Sequence, residues 1–322
     1  MLNKLKRLIN QNRLKIFLVV FVFVGIILLI QIFNSQAKNK INEKNEQNSS
    51  SANTTTIYSN TYQNESGVIS NSNIGSNTNT QNNQLITQFM TYCNAGQLEQ
   101  AYNLLSKDCK QYLFPDVNSF KTIYYDKVFN KKRELKTELW NNQKGSYTYR
   151  VTIVNDVLAE GGYDSASIED YYTIVTENGE KKLNINNFIG KTVIDKQIDT
   201  ENASLKVNYK LVYTDYEIYN LALRNNTNKT ILLDSQEETN TVYLVDEDKH
   251  QYSGDLTQVL INNLILEPEQ VKGLEITFNK MYSNRKKIEQ LVFSDIIKDK
   301  EAYEKTIHKT EYKNRISLAI KF

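Results

Sequence analysis

The chain has 322 residues, 24% of them charged and 11% aromatic, with a formal net charge of +2, two cysteines and two histidines. That near balance, with slightly more acidic than basic side chains after residue 83, excludes the phosphate-neutralising surface of a nucleic-acid-binding protein. Two cysteines with only His250 and His308 elsewhere argue against a zinc site, and no glycine-rich phosphate loop or nucleophile elbow occurs.

Residues 1–15 form a basic cytoplasmic tail, with Lys4, Lys6, Arg7, Arg13 and Lys15 and no acidic side chain. Residues 16–33, IFLVVFVFVGIILLIQIF, carry Gln31 as their one polar side chain. As a transmembrane helix the run would extend roughly 27 Å, the thickness of a bilayer's hydrocarbon layer. The more basic flank stays inside. The expectation is a single-pass cell-membrane protein, N-terminus cytoplasmic and ectodomain extracellular, that meets the membrane through 16–33. Ser35 and Ala37 leave a second reading open, a signal peptide cut after Ala37. The apolar run exceeds the ~7 to 15 residues of a signal core, which favours an uncleaved anchor. Residues 34–83 are dominated by Asn, Ser, Thr and Gln and read as a disordered polar spacer, either a stalk or a neutral linker.

From residue 84 the spacing turns helical. Leu85, Phe89, Tyr92 and Cys93 share one face before Gly96, and Leu98, Ala101, Tyr102 and Leu105 share the next. Pro115 and Asp116 mark a break and a new N-cap, ahead of a third helix with Phe120, Tyr124 and Val128. After Lys131, Lys132 and Arg133 the period falls to two, through Leu135, Thr137 and Leu139, then Tyr147, Tyr149, Val151 and Ile153. A strand from Tyr171 to Thr176 turns at Asn178 and Gly179 into Lys182 to Phe188. Cys93 and Cys109 would end two arms of a helical hairpin, roughly 15 Å apart against a ~7 Å limit for a disulfide. They are expected as two buried thiols.

The stretch AGQLEQAYNLLSKDCKQYLFP (Ala95 to Pro115), followed by Ser119, Phe120 and a meandering sheet, resembles the nuclear-transport-factor-like fold of exported, membrane-tethered proteins. The resemblance covers Gln84 to about Lys191. It implies a cone of three helices and a curved antiparallel sheet over 84–195, with an interior that is either a core or an active site. The catalytic Asp and Tyr pair of ketosteroid isomerases finds no matching positions here.

A connector near Asp195 to Asn202 leads into strand after strand over 203–322. Val207, Leu211 and Tyr213, then Tyr219, Leu221 and Leu223, open a series that runs to Ile316, Leu318, Ile320 and Phe322. Spacings near ten residues indicate an all-β sandwich. NLALRNNTNKTILLDS (Asn220 to Ser235) and LEPEQ (Leu266 to Gln270) resemble immunoglobulin-like domains of exported bacterial proteins, without a Cys-Trp-Cys core, since the single Trp is Trp140.

Candidate chemistry is sparse. Asp246, Glu247 and Asp248 suggest calcium, but an EF-hand loop begun there needs Gly and Glu where Gln251 and Thr257 stand, so a charged turn is expected. His250 and His308 lack a nucleophile or carboxylate at motif spacing. The Lys131 to Lys136 patch reads as a solvated connection, and the tyrosines fall on core periods. No catalytic, cofactor-binding or metal residue is assigned, and no cofactor. The fold class expected is α+β: transmembrane helix, disordered spacer, α+β cone, immunoglobulin-like sandwich. The function expected is a membrane-anchored, non-enzymatic binding protein of the cell envelope, its partner an envelope protein or cell-wall polymer. The alternatives are a scaffold subunit of a secretion or conjugation channel, and an isomerase-like or small-molecule-binding enzyme using the cone.

Overall fold

Helix α1, Ser76–Asn94, lays Ile86, Phe89, Met90 and Cys93 against a sheet and ends where Gly96 turns to φ 69°. It belongs to a computed structural model that describes residues 74–143, 145–155, 167–237, 240–257, 259–279 and 287–322, all within one unit, Tyr58–Phe322. The helix begins inside the stretch read as spacer. Its first turns carry amides instead of apolar side chains. Tyr149 donates to Asn79 Oδ1 at 2.8 Å, Asn82 Nδ2 donates to the Tyr149 hydroxyl at 3.1 Å, and Lys181 Nζ donates to Asn82 Oδ1 at 2.8 Å. Thr137 donates to Asn83 Oδ1 at 3.1 Å.

Short helices follow: α2 Leu98–Asn103, α3 Lys107–Tyr112, α4 Val117–Phe120, a π-helical turn Lys121–Tyr125, and α5 Asp126–Val128. Ser106 caps α3 by accepting from the Cys109 N–H, and Asp116 with Ser119 forms a capping box on α4. Each cap restarts the chain in a new direction, because it satisfies N–H groups that a continuous helix would have bonded itself. Strands β1 Arg133–Gln143, β2 Ser146–Asn155, β3 Ser167–Glu177 and β4 Glu180–Asn184 then form an antiparallel sheet in that order. Asn178 (φ 51°) and Gly179 (φ 83°) make the β3–β4 turn, both in the left-handed region that a two-residue hairpin demands.

The second sheet contains β5 Phe188–Asp199, β6 Ala203–Tyr213, β7 Tyr216–Asn225, β8 Ile231–Leu232 and β9 Val242–Asp246. It continues with β10 Gln251–Asp255, β11 Ile265–Leu266, β12 Val271–Asn279, β13 Ile288–Ile297 and β14 Arg315–Lys321, while α6 Ile261–Leu264 and α7 Lys300–Lys305 fill connections. Among the described residues its order is β11-β8-β13-β9-β10-β12-β7-β6-β5, with β14 on β13. Strand β10 turns the corner: Gln251 to Ser253 pair with β9, and Gly254 and Asp255 pair with β12. Its glycine is required there, since a Cβ would meet Ile276 Cγ2 at 2.9 Å and the Phe278 ring at 3.0 Å.

Two apolar cores result, one under the helices and one inside the larger sheet. They share strands. Phe188, Leu211 and Tyr213 belong to the first core, although their strands are the start of the second sheet.

Three expectations are corrected. The chain is predominantly β-sheet with few, mostly short helices, and the three-helix cone over 84–195 is absent: after α1 the helical runs are short, and the third, Val117 to Val128, passes through a π-helical turn at Lys121–Tyr125. The immunoglobulin-like sandwich over 203–322 does not stand as a separate domain, because its first strand pairs along its length with β5, across the expected connector. The anchor at 16–33 lies outside the described residues, and among those described no helix is long and apolar enough to cross a membrane. The single-pass membrane localisation therefore has no support.

Substituting Gly254→Ala should destabilise the chain by about 1 to 3 kcal/mol, through a forced shift of Ile276 and Phe278. Gly273→Ala, whose Cβ would meet only Leu221 O at 3.9 Å, is the control and should leave the urea midpoint in place.

Candidate binding surface

The interior holds one constellation with the chemistry of an acid–base pair. The π-helical turn aims Tyr124 inward, where its hydroxyl donates to Asp170 Oδ2 at 2.7 Å and stands 2.7 Å from the Tyr172 hydroxyl. Asp170 and Tyr172 sit two apart on β3 and so share a face. Asp170 also accepts from the N–H groups of Tyr171 (2.7 Å), Asn187 (2.8 Å) and Asn186 (3.2 Å). The group is sealed: Tyr124 is 3% exposed, Tyr172 0% and Asp170 4%. Phe89 meets the Tyr172 ring edge-on at 5.7 Å, and Phe120 stacks on Tyr124 at 6.1 Å. Burial, then the nearby Asp170 carboxylate, pushes both phenols well above their ordinary range. Burial likewise raises Asp170, against the opposing pull of its four donors. Every acceptor position of the carboxylate faces a protein donor, so this is a structural tie holding the left-handed Asn186–Asn187 turn to β3.

The other residues weighed from sequence are also spent on structure. Asp246 accepts from the N–H groups of Asp248 and His250 and from the Tyr252 hydroxyl, each at 2.9 Å, closing the β9–β10 turn. Burial opposes its ionisation, but Tyr252 and those N–H groups outweigh it and hold the carboxyl below its usual value. His250 lies 3.4 Å from that carboxylate and is 69% exposed, and His308 stands apart on the surface. Among the described residues no three His, Cys, Asp or Glu side chains are grouped to hold a metal ion. Arg133 is buried, donating to Val128 O at 2.7 Å, Asn130 Oδ1 at 2.8 Å and Asn155, so the basic patch loses its central charge to the helix-to-strand connection. Cys93 and Cys109 are buried free thiols, Cys109 pushed up to about 12 by desolvation.

Polar groups that remain open gather where α3 leans on the second sheet. Tyr112, from the last turn of α3, packs its ring 5.6 Å from Tyr209 on β6. Lys191 on β5 donates to the Tyr112 hydroxyl at 2.6 Å and lies 4.5 Å from the centre of the Tyr209 ring and 5.1 Å from that of Tyr112. The hydrogen bond to Tyr112 holds the Lys191 ammonium above its ordinary range, so it is charged at neutral pH. From Tyr209 a row crosses the sheet: Val193 on β5 is opposite Tyr209, Tyr209 opposite Asn220 on β7, and Asn220 opposite Glu275 on β12. Asn220 Nδ2 donates to Glu275 Oε1 at 3.1 Å, and Asn208 Nδ2 donates to Asn220 Oδ1 at 2.9 Å. Val193 is 70% exposed. The sequence hid this row because its members come from four strands and share no local spacing. Only the register brings them together.

No family model matches the chain, and no curated protein matches it either, so neither resemblance drawn from the sequence gains support. Among solved structures it is similar to a conserved hypothetical protein from Bacillus anthracis, known from a 2.2 Å crystal structure. The match has 14% identity, covers 39% of this chain and 95% of that one, and has a TM-score of 0.23, too low to carry an argument.

Asp170 gives a pH test of the sealed interior. Because the folded protein binds this proton more tightly than the unfolded chain, the contribution of Asp170 to stability is greatest below the ordinary carboxylate range and declines as pH rises through its raised value. A carboxyl ¹³C titration should place its midpoint above 3.8. An ordinary midpoint would mean that water reaches the group.

Proposed function

We propose that this chain is a non-enzymatic binding protein, its partner an envelope protein or a cell-wall polymer. One observation carries the reading: the acid–base constellation of Tyr124, Tyr172 and Asp170 is enclosed by aromatic rings and saturated with internal hydrogen bonds. A general acid or base must reach a substrate proton within hydrogen-bonding distance, directly or through one water. A carboxylate at 4% exposure with four protein donors offers no such approach. The groups left open are hydrogen-bonding and aromatic side chains on a sheet face, the composition of a recognition surface.

The test is whether the first core is filled. Leu105 is fully packed and lies at a parallel bridge to Leu183, where α2 leads into α3. Leu105→Ala should cost about 2 to 5 kcal/mol of unfolding free energy, since it removes apolar burial and leaves a cavity. The unaltered chain should take up no apolar dye. Dye binding by the unaltered chain, abolished by Leu105→Ala with unchanged stability, would reveal an open pocket and defeat the non-enzymatic reading.

A further inference from the structure

We propose that the face crossed by Lys191, Tyr209, Asn220 and Glu275 binds a saccharide carrying one negative charge, its oxyanion on Lys191, a ring over Tyr209 and its hydroxyls on Asn220 and Glu275. This rests on the binding-protein reading and gives it a ligand class.

Lys191 is the reason for the charge. A surface lysine ordinarily loses rotamer entropy when it is fixed. Here the Tyr112 hydroxyl at 2.6 Å and two flanking rings have fixed it already. An ammonium has three N–H donors, and Tyr112 uses one. The Tyr112 oxygen accepts that bond. One cation with two N–H donors left fits a monoanionic oxyanion, a carboxylate or a phosphodiester.

The rest of the row selects the sugar. Tyr209 is half-buried, with Val193 exposed beside it, giving an apolar floor on which the C–H face of a pyranose can lie. Asn220 and Glu275 follow over two strand spacings, about 10 Å. Asn220 holds one Glu275 oxygen, and the other can accept hydrogen bonds from hydroxyls. The Glu275 carboxylate also repels a second negative charge at that end. The row therefore has a cationic end and an acceptor end, complementary to a sugar charged at one end only. Helix α3 supplies a wall through Tyr112, so the site lies in a corner of the surface.

The test is calorimetric titration of the full chain with cellobiouronate, a glucuronosyl-glucose with a single carboxylate, with a glucose–glycerol phosphodiester, and with neutral lactose. The expected result is saturable, salt-sensitive binding of at least one charged probe, at least tenfold tighter than lactose, and at least tenfold weaker in Lys191→Gln. Preference for cellobiouronate identifies a uronate-containing saccharide, and preference for the diester a sugar-phosphate polymer. Tyr112→Phe keeps the ring, removes the hydroxyl that fixes Lys191, and should weaken binding severalfold. It takes over the test if Lys191→Gln loses its near-ultraviolet circular dichroism. Lys305→Gln, a change at an exposed lysine on α7, should have no effect. Absence of binding to both charged probes, equal affinity for lactose, or unchanged binding in Lys191→Gln or, where it takes over, Tyr112→Phe overturns the site and leaves the binding-protein reading standing. Cleavage of a bound probe, followed by proton NMR, overturns that reading instead and leaves the site.

Discussion

Strand β5 is held by two cores at once, and the remainder of the fold follows from that constraint. Its first residue, Phe188, is buried under the helices, whereas Ile194 and Ile198 pack against the core of the larger sheet. The turn that launches it is fixed from both sides. Asp170 takes the N–H groups of Asn186 and Asn187, Asn187 O accepts from Thr214 N at 3.1 Å, and Asn184 Nδ2 donates to Ile189 O at 2.7 Å. A buried carboxylate with matched donors is costly to disturb, because removing a partner leaves an uncompensated group in a dry environment. The direction in which β5 leaves the first sheet is therefore set by side chains of that sheet, and the larger sheet grows from a strand whose angle it does not choose.

The same constraint explains why the sequence divides the chain more cleanly than the structure does. After Phe188 most of the side chains of β5 are partly or fully exposed, so its pattern resembles a connector, and its strand identity comes from pairing with β6. The Asn178–Gly179 hairpin was legible because its chemistry is local: two consecutive left-handed positions leave few other choices. The early turns of α1 were not legible, since Asn79, Asn82 and Asn83 are docked by hydrogen bonds and leave no apolar period. Between 120 and 128 the helical period is present in the side chains and the backbone is helical throughout, with π-type hydrogen bonding from Lys121 to Tyr125. Local periodicity therefore reported which residues face inward there, as Phe120, Tyr124 and Val128 do, without reporting the π-helical hydrogen bonding among them.

Site residues were less legible than core residues for a related reason. A motif can be read only when neighbours in space are neighbours in sequence. Asp170 and Tyr172 are two apart, but Tyr124 lies on a distant turn, and Lys191, Tyr209, Asn220 and Glu275 are joined only by the register of four strands. The tyrosines illustrate both outcomes. Tyr149, Tyr172 and Tyr219 are core residues, as their spacing indicates, whereas Tyr112 and Tyr209 have the same composition signal and lie half-buried at the edge of the first core.

The amide-docked start of α1 has a thermodynamic consequence of its own. Heat capacity and denaturant sensitivity both scale with the apolar area a transition exposes. Release of 76–83 breaks the hydrogen bonds of Asn79, Asn82 and Asn83 with Tyr149, Lys181 and Thr137 while the apolar anchors from Ile86 onward stay in place. Such an opening has a small heat-capacity change and a shallow dependence on urea, unlike the cooperative loss of either core. Backbone amides bonded to carbonyls of these turns, up to that of Thr87, therefore exchange with solvent through local fluctuation, while those from Gln88 to Cys93 wait for the first core to unfold.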